Sequence, residues 1–358
     1  MSKTKIILVT GGLGYIGSHT IVELFNEEYL KANDIKNNFE VVIIDDCSSC
    51  SDKIIPILEG IIKNKIHFYK ISLNDKKTLE EPFKKFNIYA VIHFAGKKSV
   101  NESIEKPLFY YENNFIGSFN LIELCLKYKV NNFIFSSSCT VYGDRSDKPR
   151  EDEKFLFPIN PYGKTKLFIE YMLQDIAKVN HEFKVVLLRY CNPVSCHPSG
   201  KIGEDPLLNP TNLFPAIQNL IRGKLKTLVI FGNDYPTKDG TCIRDYIHVT
   251  DIAQGHVIVL KLFEKENEKF FNNSSAIYNM GTNKGYSVKE IIETYEKSNN
   301  IKLNYIYGKR RNGDAAISLP DCSKFYKDLG WIPKIGLEQM CKDSYNFIKK
   351  HPKGLYLE

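Results

Sequence analysis

The stretch Lys5-Ile6-Ile7-Leu8-Val9-Thr10-Gly11-Gly12-Leu13-Gly14-Tyr15-Ile16-Gly17-Ser18 decides the fold. Its continuous apolar run marks a strand buried on both faces, not one with a wet side. The run leads straight into glycines at 11, 14 and 17, which open a candidate helix. Glycines there permit a tight turn and let backbone N–H groups approach a pyrophosphate, and the helix N-terminus favours the anion. A glycine triplet alone is weak; its place between strand and helix gives it weight.

Similar apolar runs recur at Val41–Asp45, His67–Ser72, Ala90–Ala95, Asn132–Ser138 and Val185–Tyr190. The segments between them are long enough for crossover helices. This alternation predicts an α/β fold, a doubly wound parallel (Rossmann) sheet with helices on both faces. After Tyr190, Pro193, Pro198, Pro206, Pro210 and Pro215 crowd together with Gly200 and Gly203. That density of breakers marks a domain boundary. The expected division is a nucleotide-binding domain over 1–189 and a smaller mixed α/β substrate domain over 190–358, some of whose segments can pack back on the first. In the second half, strands are predicted at Leu228–Gly232 and Ile277–Gly281, and helices near Val249–Phe263 and Val288–Lys297.

The length of 358 residues suits two domains, at about 150 residues each. A net charge of +7 is spread along the chain, so it allows an anionic ligand without calling for nucleic acid. No apolar stretch is long enough to span a membrane. The nine cysteines are odd in number and scattered. The apolar run Ile6–Val9 is too short for a signal peptide. Together these predict reduced thiols and a cytoplasmic setting.

The second strand ends in Asp45, 28 residues past Gly17, where about 20 is usual. A polar stretch, Lys31–Glu40, accounts for the excess as a surface insertion. A carboxylate there accepts from ribose hydroxyls and repels a 2′-phosphate, so the cofactor reads as NAD rather than NADP. The alternative is an Asp that merely caps a turn. Cys47-Ser48-Ser49-Cys50 follows at once, but no second ligand pair or thioredoxin-like frame accompanies it. No metal site is therefore expected.

Pro161-Tyr162-Gly163-Lys164-Thr165-Lys166 carries the chemistry. Tyr162 and Lys166, four apart on a helix opened by Pro161, share one face. An ammonium near the phenol favours the phenolate, which makes Tyr162 a general-base candidate. Alone, this spacing usually means two surface side chains. A buried strand ending in Ser136-Ser137-Ser138 adds hydroxyls at the sheet edge that lines the ligand crevice.

The glycine loop, Ser138 and the Tyr162/Lys166 pair resemble the extended short-chain dehydrogenase/reductase family. Within it, several strings resemble the UDP-galactose 4-epimerases: Gly11–Thr20, Val91–Lys97, Phe133–Ser138 with Thr140–Gly143, Phe231–Thr237 and Arg244–Val249. The resemblance runs over nearly the whole chain. It implies redox-neutral, NAD-dependent interconversion of UDP-galactose and UDP-glucose through a 4-keto sugar. Catalysis would fall to Ser138, Tyr162 and Lys166. NAD would be held by Gly11, Gly14, Tyr15, Ile16, Gly17, Asp45, Ser72, Phe94, Ala95, Gly96, Lys98, Asn113, Ser136 and Tyr190, besides Tyr162 and Lys166. The UDP-sugar would meet Lys98, Ser138, Tyr162, Asn192, Asn212, Leu213, Leu228, Val229, Phe231, Arg244, Arg311, Asp314 and Ser318. A homodimer follows by analogy.

The chain departs from the family in places. Ser72 stands where an acid accepts from the adenine amine, which implies looser NAD retention, since a neutral acceptor is weaker. Cys191 replaces an aromatic beside Tyr190. Ser318 stands at the position that gates sugar size, and a small residue there implies turnover of UDP-GlcNAc and UDP-GalNAc as well. A 4,6-dehydratase needs an acid/base pair after the strand-end hydroxyl, where Cys139 and Thr140 stand. A UDP-glucuronate 4-epimerase and a non-catalytic NAD-sensing protein are the other readings. Retention of Tyr162, Lys166 and Ser138 weighs against the last. Cys139 and Cys191 flank proposed site residues, so thiol reagents are expected to inhibit.

Overall fold

In chain order the strands are β1 (Lys5–Thr10), β2 (Phe39–Asp45), β3 (His67–Lys70), β4 (Ile88–His93), β5 (Asn132–Ser138), β6 (Lys184–Tyr190), β7 (Asn192–Val194), β8 (Leu228–Phe231), β9 (Ile243–His248), β10 (Ser275–Met280), β11 (Gly285–Ser287), β12 (Tyr305–Gly308) and β13 (Ile317–Ser318). The computed structural model describes residues 4–356 apart from 37, 146, 206–211 and 312–313, with backbone alone at 265–266. Pro206 and Pro210 of the breaker-rich loop therefore lie outside the described residues.

Seven strands form one sheet in the order β10-β6-β5-β4-β1-β2-β3, every neighbouring pair parallel. The continuous apolar runs follow from the pleat, because successive side chains enter opposite cores. Ile7, Val9, Ile43, Ile134 and Leu188 face helices Tyr15–Leu24, Ile54–Ile62 and Val249–Ile258. Leu8, Val42, Phe133, Phe135 and Leu187 face the other core, with Leu121 and Leu124 of helix Gly117–Lys127 and Ile169 and Leu173 of helix Pro161–Val179. Several boundaries differ from expectation; β4, for one, runs Ile88–His93 rather than Ala90–Ala95. β2 begins at Phe39, inside the stretch read as an insertion. β3 stops at Lys70, where its pairing with Asp45 of β2 ends.

The second half contributes to both regions. β10 extends the large sheet beyond β6, and helix Val249–Ile258 packs against helix Tyr15–Leu24. A smaller sheet centres on β9, which pairs β11 antiparallel and β7 and β13 parallel. β8 and β12 pair separately. A core of Phe214, Ile217, Leu228, Ile230, Ile291 and Tyr295 sits behind them.

The helix Pro161–Val179 is fixed at both levels. Pro161 occupies its first turn, and the Asn160 side chain caps it by accepting from the Gly163 N–H at 2.8 Å. One turn below Lys166, Glu170 is fully buried and meets the equally buried Arg189 of β6. Arg189 donates through Nε at 3.0 Å and Nη2 at 2.6 Å, and Ser137 donates to the same carboxylate. Removing one partner strands a buried charge, a cost of about 3–5 kcal/mol. Arg189→Met should lower unfolding free energy by that order in denaturant titration, and Glu170→Leu added to it should restore much of the loss. A wild-type midpoint in Arg189→Met would contradict the assignment.

Candidate active site

The glycine loop connects β1 to helix Tyr15–Leu24, and close backbone packing fixes Gly11 and Gly17. Gly11 has φ +67°, and a Cβ there would lie 2.7 Å from the Ala95 nitrogen. A Cβ at Gly17 would lie 2.4 Å from the Gly11 carbonyl oxygen. At Gly14, the N-cap, a Cβ would meet only that same carbonyl oxygen, at 3.2 Å. Its smallness therefore keeps open the space before the helix N-terminus, which is the cradle a pyrophosphate needs. Asp45 ends β2 beside the loop. Its carboxylate accepts from the N–H groups of Leu13 at 3.1 Å and Cys47 at 2.9 Å, and burial pushes its pKa up. These residues fit a dinucleotide.

Phe94, Ala95 and Gly96 follow β4, and the backbone N–H groups of Phe94 and Ala95 reach the Thr10 carbonyl at 2.9 and 3.1 Å. Asn113 is half-buried, in a π-helical turn. Its neighbour Asn114, absent from the sequence reading, braces the loop by accepting from Lys97 N at 2.7 Å and donating to Lys97 O at 2.9 Å. Lys98 pairs with Glu204 at 2.5 Å, another residue the sequence did not single out. Tyr15 donates to the Ser195 carbonyl at 2.8 Å, and Ile16 packs against the core. The Ser72 hydroxyl accepts from Asn74 N at 3.3 Å in the turn after β3.

At the C-terminal edge of β5 and β6 the catalytic candidates meet. Tyr162 is half-buried, with the Ser138 hydroxyl near its phenol. Ser136 and Tyr190 share a short hydrogen bond. Lys166 Nζ donates to the Ser136 carbonyl at 2.7 Å and sits 5.9 Å from the Tyr162 ring centroid. Behind it His93 bridges Thr10 at 2.6 Å and Ser118 at 2.8 Å, and burial lowers its pKa to about 3, so the ring is neutral.

The expected lowering of the phenol by Lys166 is not what the protein groups produce. Burial pushes Tyr162 up to about 12, and the nearby Ser138 hydroxyl only partly opposes it. Burial also draws Lys166 down to about 8, with Glu170 opposing. The ammonium is directed at the strand carbonyl rather than at the phenol oxygen.

The substrate-side candidates converge on β8, β9 and β13. Arg244 pairs with Asp314 at 3.7 Å and not with its neighbour Asp245. The Arg311 guanidinium lies 3.9 Å from the Phe231 ring centroid. Ser318 pairs in register with Arg244 and shares a small cleft with Cys139 and Tyr142, next to Ser138. Leu228 is buried, Val229 half-buried, and Asn192 exposed on β7. Asn212 is exposed at the N-cap of helix Leu213–Ile221, and Leu213 starts that helix half-buried.

A family model described as GDP-mannose 4,6 dehydratase matches residues 8–344. The UDP-glucose 4-epimerase of Bacillus subtilis (strain 168) is 45% identical over 349 residues, 97% of this chain and 98% of the relative. The solved UDP-glucose 4-epimerase from Bifidobacterium longum, in complex with NAD+ and UDP, superposes with a TM-score of 0.88 at 38% identity, covering 97% of this chain and 99% of that one. The UDP-Glc/GlcNAc 4-epimerase of Campylobacter jejuni gives 0.79 at 36% identity, covering 97% and 99%.

The pKa of Lys166 gives a signed prediction. Between about pH 8 and the usual 10.5 the unfolded chain keeps a proton that the folded chain has released. Stability contributed by Lys166 therefore rises with pH across that window. The unfolding free energy of wild type minus that of Lys166→Met should increase from about pH 8 to about pH 10. A flat or falling difference would show that Lys166 is not desolvated.

Proposed function

The chain belongs to the UDP-glucose 4-epimerase family, and from that premise we propose that it interconverts UDP-galactose and UDP-glucose at this crevice, with Tyr162, Ser138 and Lys166 as its catalytic groups. The observation that carries the reading is the convergence of Ser138, Tyr162 and Lys166 at the β5 edge, beside a glycine cradle shaped for NAD. NAD, when bound, supplies the acceptor that takes the sugar C4 hydride and later returns it.

Tyr162 takes the proton of the 4-hydroxyl, with Ser138 positioning that oxygen. Lys166, anchored on Ser136, is placed to hold the nicotinamide ribose. Arg244 and Arg311 offer guanidinium groups to the diphosphate, and Phe231 an apolar flank to the uracil. The 4-keto sugar turns about this anchored diphosphate and takes the hydride back on its other face. Tyr162 then returns the proton. Dehydration is disfavoured because Cys139 and Thr140 follow Ser138, and neither supplies the acid/base pair it needs. Incubation with UDP-galactose should yield UDP-glucose, and Tyr162→Phe should lower kcat roughly 100- to 10,000-fold. Absence of UDP-glucose from the wild-type reaction would overturn the reading.

Ser318 supports acceptance of N-acetyl sugars as well, because its side chain is small where it lines the cleft beside Cys139. Ser318→Tyr should cut kcat/KM for UDP-GalNAc by roughly 100-fold, a steric effect, while UDP-galactose is still turned over. Equal losses on both sugars would remove Ser318 as the gate.

A second copy of the chain is the proposed partner. Leu108, Phe109, Phe119, Phe168 and Tyr171 are exposed on adjoining helices, and Phe168 stacks on Tyr111 at 6.2 Å. An apolar face of this kind suits a self-complementary two-fold contact. Phe168→Glu should shift sedimentation from dimer to monomer; a wild-type monomer would refute the assignment. All nine cysteines are free, which suits the reducing cytoplasm.

A further inference from the structure

Three buried groups from separate parts of the chain converge beside the catalytic edge without a part in the chemistry above. Cys191 follows Tyr190, Asp245 lies on β9, and Cys322 precedes helix Ser323–Leu329. The ligand atoms of Cys191, Asp245 and Cys322 all lie within 4.8 Å of one another, and all three residues are buried. A tetrahedral site with Zn–S of about 2.3 Å has S···S edges of about 3.8 Å. The Cys139 sulfur lies 3.9 Å from that of Cys191 but outside this group, its thiol donating to the Arg189 carbonyl at 3.2 Å.

The surroundings hold these groups together. A Cβ on Gly281 would lie 2.6 Å from both Asp245 Oδ2 and Cys191 Sγ, so only glycine lets the chain pass there. Asp245 is aimed by the N–H groups of Thr282 at 2.9 Å and Asn283 at 2.8 Å. Among the described residues it makes no ion pair. A buried carboxylate with no cation beside two buried thiols is a donor set for a soft divalent metal.

We propose that Cys191, Cys322 and Asp245 form a three-ligand binding site for a thiophilic divalent cation of the zinc and cadmium class, with a water as the fourth donor. When the cation enters, the S–H bonds of Cys191 and Cys322 break, two metal–sulfur bonds form, and two protons leave to solvent. One Asp245 oxygen supplies the third bond. A water supplies the fourth. Occupancy would tie the end of β6 to β9 and to the segment before Ser323. The trio Asp45, Cys47 and Cys50 also clusters, but Asp45 belongs to the nucleotide site and Cys47 is only half-buried.

The test uses the purified full-length protein with NAD, freed of metal by a chelator and titrated with cadmium. The Cd–thiolate ultraviolet band reports sulfur ligation, and zinc competition reports affinity. One equivalent should bind with the band. Cys322→Ala and, separately, Cys191→Ala should weaken binding by more than about 100-fold, because even outer-shell partners cost roughly 10–100-fold. The double variant Cys47→Ala/Cys50→Ala should bind as wild type. Three results would overturn the site: no band in the wild type, a band lost only in the Cys47/Cys50 variant, or a Cys139–Cys191 disulfide forming under air in place of metal binding. Circular dichroism and epimerase activity of each variant separate lost binding from lost folding.

Discussion

The rest of the site depends on one buried ion pair, Arg189 with Glu170. Neither charge reaches solvent, and an uncompensated charge there costs several kcal/mol. It is tolerated because nearly every donor and acceptor is satisfied. Glu170 accepts from Arg189 and Ser137, and Arg189 also donates to the Tyr142 hydroxyl at 3.0 Å. Tyr142 in turn donates to Asn279 of β10 at 2.6 Å. The helix Pro161–Val179 can thus dock on β5 and β6 in one register only. That register sets Lys166 against Ser136 and Tyr162 against Ser138, one and two turns from the pair.

The same network explains the electrostatics. Docking this helix buries Lys166 and half-buries Tyr162, and desolvation is the largest influence on both. The protein groups hold the phenol protonated and weaken the grip of the ammonium on its proton. Basicity at Tyr162 must come from what completes the site, while the chain supplies position. The glycine cradle follows the same logic. Gly11 and Gly17 are demanded by close backbone packing, and the freedom left at Gly14 is what a nucleotide can use.

Much of this was legible in the sequence. β1 and β5 run as read, because buried parallel strands show as unbroken apolar runs bounded by glycine or hydroxyl clusters. The pairing of Tyr162 with Lys166, proposed as catalytic, was legible because residues four apart on a helix share a face. Less legible was whatever depends on distant pairing. A lone Arg189 inside an apolar run does not reveal Glu170 as its partner. The end of β3 depends on where β2 stops. Nothing in Ser275–Met280 says that it joins the large sheet beside β6. Asn114 and Glu204 escaped notice because bracing a loop and pairing a lysine leave no spacing pattern. The pKa of Tyr162 was read with the wrong sign because spacing reports proximity and not the orientation of the ammonium or the depth of burial.

The account rests on hydride transfer at sugar C4, with the proton alone moving through Tyr162 and Ser138. The most direct measurement is the fate of deuterium at C4 of UDP-galactose during turnover in ordinary water. The account predicts UDP-glucose that keeps the deuterium at C4, since the hydride leaves the sugar and returns to it within one closed site. Deuterium lost to solvent, with hydrogen in its place at C4, would contradict it and require a carbanion route instead.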